Sequence, residues 1–111
     1  MDELVRRLSL GDHPVTVGGS TPSLEDFRKR VEDMGYVFIK FTDTRGGTDL
    51  GVRVDKSSTD LSQANFEQAS GFAHIEGTLT LNYVKVRCVA NMDLATLNGT
   101  GHLVALEEVH P

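Results

Sequence analysis

From Phe72 onward apolar and polar side chains alternate over a long stretch, with the period of two that marks strands holding one face in a core and one in water. Turns at Leu81-Asn82 and Met92-Asp93 set Leu79 opposite Val84, Gly77 opposite Val86, Ile75 opposite Cys88 and Ala73 opposite Ala90, then Ala90 opposite Ala95 and Cys88 opposite Leu97. Both registers gather the apolar side chains of the middle strand on one face, so the pattern predicts an antiparallel meander with a dry side. A primed turn at Asn98-Gly99 is the competing register, and it scatters the faces. Small residues dominate the dry side: Ala73, Gly77, Ala90, Ala95, Gly99 and Gly101. They suit the close approach of a helix, or else a hollow for a small ligand.

A second alternating pair flanks the glycine-rich run Thr42 to Gly51. If Gly46-Gly47 is a two-residue hairpin loop, Phe41 faces Val52, Ile39 faces Val54 and Asp43 faces Leu50, while Lys40 faces Arg53 on the other side. A phosphate cradle would open a helix and end in Lys-Ser/Thr, whereas an alternating strand follows here. The run therefore turns the chain. Lys40, Arg45 and Arg53 form a basic group that an anion or an acid would bridge.

Between these pieces, Leu24, Phe27, Val31 and Met34 recur at helical spacing after Thr21, Pro22 and Ser23, which suit a helix start, and Gly35 stops the pattern. The opposite side is charged, with Glu25/Lys29, Asp26/Arg30 and Arg28/Glu32 spaced for surface ion pairs. A short helix is expected from Asp2 to Ser9 and a short strand at Val15-Thr16-Val17. Residues 56–71 are polar and irregular, and Thr59 to Gln68 resembles two coils of a pentapeptide-repeat protein, where a solenoid needs several. The resulting order, β-α-β-β-loop-β-β-β, predicts a single α+β domain over residues 1–111, with one principal helix packed on an antiparallel sheet of about five strands. In element order alone it resembles a cystatin, which carries no function with it.

Composition narrows the function classes. With 39% hydrophobic and 24% charged residues among 111, the chain reads as one ordinary globular domain. No apolar run could span a bilayer and the acidic start Met1-Asp2-Glu3 is unlike a signal peptide, so no membrane association and a cytoplasmic location are expected. A formal charge of −5 gives no footprint for nucleic acid. One cysteine, Cys88, excludes an internal disulfide and a multi-thiolate metal site; neither metal nor cofactor is expected.

The wet face of the meander gathers Glu76, Tyr83, Lys85, Arg87, Asn98 and His102, with Glu76 opposite Arg87 and Tyr83 beside His102. These residues, with Lys40, Arg45 and Arg53, are the candidate site for a partner or for a small polar or anionic ligand. Tyr36 and Phe38 extend the second hairpin's basic side into a mixed aromatic surface. His74 and His102 lie too far apart in this register to share a metal. No nucleophile motif is present, so the leading reading is a non-catalytic binding or accessory protein, a subunit of a larger assembly or a homo-oligomer. The alternative is a small cofactor-free isomerase, cyclase or hydrolase using His102, Tyr83, Glu76 or His74 as acid and base.

Overall fold

The computed structural model describes residues 2–108, so Met1 of the acidic opening lies outside them. Asp2 starts helix α1 (Glu3–Leu8) by accepting a hydrogen bond from the Val5 amide at 3.1 Å, and Val5 and Leu8 are fully buried. Strand β1 (His13–Val17) follows, with Pro14 turned outward. Helix α2 (Leu24–Lys29) is capped by the Ser23 hydroxyl, which accepts from the Asp26 amide at 3.0 Å. It runs on as a π-helical turn, Arg30–Met34, and Gly35 ends it in the left-handed conformation. Phe27 and Val31 are buried as their spacing requires, but Met34 is 54% exposed. The wider π turn holds more residues per turn and rotates Met34 off the stripe.

The other strands are β2 (Tyr36–Phe41), β3 (Thr48–Val54), β4 (Ala64–Asn65), β5 (Ser70–Leu81), β6 (Val84–Asp93) and β7 (Asn98–Glu108). They form a seven-stranded antiparallel sheet in the order β3-β2-β1-β7-β6-β5-β4, in which β3 also pairs with β5. That extra pairing corrects the expected architecture. Six strands close into a barrel, β4 extends one edge, and both α-helices are short. Inward side chains of the barrel share one core with Val5, Leu8, Phe27 and Val31.

Small residues explain the closure. A Cβ at Gly77 would land on the Arg53 carbonyl oxygen and 2.6 Å from Val52 Cγ1, so glycine is what lets β5 come this close to β3. At Gly101 a Cβ would stand 3.3 Å from Val15 Cγ1 and from Ala90 Cβ. The small residues thus fit strand to strand rather than seat a helix. Ala95 is not one of them, being exposed in the loop after β6.

Every hairpin register differs from the expected one by an even number of positions. Asn82 and Tyr83, both at positive φ, make the β5–β6 turn, so Leu79 faces Val86, Gly77 faces Cys88 and Ile75 faces Ala90. A four-residue loop, 94–97, sets Ala90 opposite Gly101 and Cys88 opposite Leu103. Between β2 and β3 the turn runs Thr44–Gly47, closed by the Gly47 amide donating to the Thr44 carbonyl at 2.9 Å, with Gly46 at φ 76° in its third position. Ile39 therefore faces Leu50 and Lys40 faces Asp49, not Arg53. An even slip leaves each side chain on its face, which is why Phe41, Val52, Ile75 and Cys88 are all buried although their neighbours changed.

The irregular stretch after β3 is laid along the free edge of β5. The Asp55 amide donates to the Glu76 carbonyl at 2.8 Å, Asp60 and His74 exchange both main-chain bonds, and the Phe72 amide donates to Gln63. Leu61, Ala64 and Phe66 pack on the core from this strap. It forms an edge strand and a bridge.

Candidate functional site

The β3–β5 ladder consists of Arg53↔Thr78 and Val54↔Gly77, although β3 reaches back to Thr48 and β5 on to Leu81. Beyond Arg53 the seam opens. The Val54 amide donates to Gly35 on the β2 side and the Asp55 amide to Glu76 on the β5 side. By alternation, the main-chain groups of Gly51 point toward β5 and those of Thr80 toward β3.

A groove of about 360 Å³ lies over this opening, lined by Tyr36, Gly51, Arg53, Thr78, Leu79, Thr80 and Lys85. Gly51 shapes it, because a Cβ there would land on the Tyr36 hydroxyl; without one the phenol lies across β3. Tyr36 meets Phe38 edge to face, with centroids 5.4 Å apart, and the Arg30 guanidinium sits 5.0 Å over the Phe38 ring. Arg53 and Lys85 flank the groove, and among the described residues neither makes an ion pair. A larger hollow of about 520 Å³ lies between the α2 segment and residues 61–67, but of its three charged side chains Arg28 and Glu32 are paired to each other, which leaves only Glu67.

Beside the groove, a polar network crosses the barrel exterior. Arg87 reaches Asp55 at 3.2 Å and Glu76 at 3.5 Å; Glu76 accepts from His74 Nε2 at 2.7 Å, and His74 Nδ1 lies 2.7 Å from Asn91 Oδ1. Hydrogen bonds from Ser57 and then Arg87 hold the Asp55 carboxyl down at about 2, and the Glu76 and Asn91 contacts raise the His74 pKa. With both its ring nitrogens occupied, His74 is a tie between strands and has no free nitrogen for proton transfer. Among the described residues no group of His, Cys, Asp and Glu could hold a metal ion. Cys88 is buried, which pushes its thiol up to about 12.

A family model for the core binding factor beta subunit matches residues 23–110, which run from the cap of α2 through the last strand. The chain belongs to that family. It is a non-catalytic accessory subunit whose business is a protein partner. No individual curated protein matches it. The match takes in the strands that form the seam, while α1 and β1 lie ahead of it.

The remaining candidate residues of this family member are spread out. Tyr83 is in the β5–β6 turn, 64% exposed, whereas His102 faces Val89 and pairs with Asp12 at 3.3 Å, so the two are not neighbours. Glu76 and Arg87 meet diagonally rather than face to face, since Arg87 faces Thr78. His74 and His102 stand in adjacent rows instead of six residues apart. Asn98 starts β7 opposite Asp93, and Arg45 is exposed at the turn tip. Of the nominated cations, only Arg53 and Lys85 share the groove.

Sequence reasoning missed His13, which carries no periodic signal at the head of its strand. Its ring is buried, with Nδ1 2.7 Å from Asp43 Oδ2 and Nε2 2.9 Å from the Leu10 carbonyl, while Arg7 donates to the Asp43 carbonyl at 2.7 Å. Both nitrogens face acceptors, and the pKa is raised, chiefly by the Asp43 bond and against burial. A raised folded pKa means this tie contributes fully below the unfolded value of 6.5 and fades as pH climbs through the folded one. The stability gap between wild type and His13→Gln is therefore expected to shrink from pH 6 to pH 9 in urea titrations. A gap that widens with pH would show that the ring is neutral.

Proposed function

We propose that this chain acts as the accessory subunit of a transcription-factor complex and that the subunit contacting DNA docks on the open seam. The family match supports the class of partner, and the single observation supporting the place is the groove where the β3–β5 ladder stops. Unpaired strand edges accept an added segment through main-chain bonds, with pockets beside them reading its side chains. The partner is a different chain rather than a second copy. Nucleic acid belongs to this reading through the partner subunit, which agrees with an accessory chain of net charge −5.

Gly51→Ala tests the place. The obstacle to its Cβ is the far end of Tyr36, which can swing away, so the fold should survive while the groove changes shape. Titration against the DNA-contacting subunit of core binding factor is expected to show about tenfold weaker binding, roughly 1.4 kcal/mol, with an unchanged melting temperature. Unaltered affinity would move the docking surface elsewhere.

A further inference from the structure

We infer that the segment occupying the seam is an acidic extended strand, a carboxylate-bearing stretch of the partner that adds to β3 and β5. This rests on the docking reading above and specifies its chemistry.

Arg53 is exposed on β3 at the last paired position before the opening, and Lys85 is exposed on β6 opposite Thr80, the residue whose main chain looks into the opening. Their backbones stand two strand spacings apart across β5 and two residues apart along it, about 12 Å in all, so both long side chains can reach one carboxylate between them. Other cations nearby are already engaged: Arg87 by Asp55 and Glu76, and Arg30 by Asp26 and the Phe38 ring. Glu107 faces Lys85 in the ladder without pairing to it. A chain of net charge −5 therefore keeps two cations without an ion pair beside the open seam. Thr78, Thr80 and the Tyr36 hydroxyl supply further donors to the same carboxylate. Gly51 and Thr80 offer main-chain groups to a strand laid between them, and side chains two apart on that strand share the outward face where the cations stand.

The probe is an acetylated, amidated hexapeptide of alternating threonine and glutamate, with lysine and glutamine analogues, titrated into the isotopically labelled full chain. The acidic peptide is expected to shift the amides of Gly51, Arg53, Thr80 and Lys85 saturably. The double variant Arg53→Glu/Lys85→Glu should weaken it at least about tenfold, and raising salt from about 50 to 500 mM should weaken wild-type binding. Folding of the double variant is checked by its spectrum, since both side chains are exposed. If the glutamine peptide perturbs the same amides as strongly, the seam still docks a strand and the acidic inference is wrong. Preference for the lysine peptide, or shifts confined to the surface around Arg7, Leu10 and His13, away from the seam, also overturns it. Silence at the seam with all three peptides defeats the docking reading as well.

Discussion

Gly77→Val should destabilise the protein by more than about 3 kcal/mol, beyond the usual cost of overpacking, because the new side chain collides with main chain. Its Cβ would land on the Arg53 carbonyl, and no rotamer of a neighbour relieves that. Either β5 withdraws and the β3–β5 ladder breaks, or β3 bends away from β2. Both outcomes open the barrel and expose two more edges. Urea unfolding gives the magnitude, with Thr78→Val, a neighbouring outward position, as the reference. Hydrogen exchange gives the location: the Asp55 amide, which donates to Glu76 just past the ladder, should lose protection first. A variant as stable as the reference would mean that the closure does not depend on this contact.

Phe27→Ala is expected to cost about 3–5 kcal/mol, the range for deleting a buried ring. Phe27 is fully buried and ties α2 to the barrel core, and its ring lies 6.4 Å from that of Phe66 on the strap along β5. Removing it leaves α2, only six residues long, with no buried side chain of its own and only Val31, in the π turn that follows, as an anchor. So short a helix has little stability of its own. Exchange should accelerate through α2 and the strap while the β6–β7 ladder stays protected. Phe66→Ala, at a half-buried position, should cost less. Equal losses for the two, or uniform acceleration, would count against this division of roles.

How these features could be foreseen differs by feature. The faces of β2, β3, β5, β6 and β7 were legible because burial alternates with period two, and Phe41, Ile75 and Cys88 lie where alternation put them. The start of α2 was legible too, since Ser23 caps it as its residue type suggests. The groove was half legible: Arg53 and Lys85 were nominated, but from rows that the true registers dissolve. Tyr36 was noted as part of an aromatic and basic surface, yet nothing local to Gly51 says that a phenol crosses it. Arg87 was expected to meet Glu76 across the wet face; it does reach Glu76, and it is also bound by Asp55, from a strap whose polar composition gave no sign of pairing.

Local order in the chain decided which side of each ribbon is oily, where the helices begin, and that among the described residues no helix is long and apolar enough to cross a membrane. These properties survive a slip of two, four or six residues, because pleat and helix repeat depend on near neighbours alone. Closure into a barrel, the place where the seam parts and the choice of which cations stay unpaired came from contacts between distant positions, Arg53 with Thr78 and Val15 with Gly99 among them. Those contacts rest on how closely two backbones can approach, and only the assembled strands bring Gly77 against Arg53.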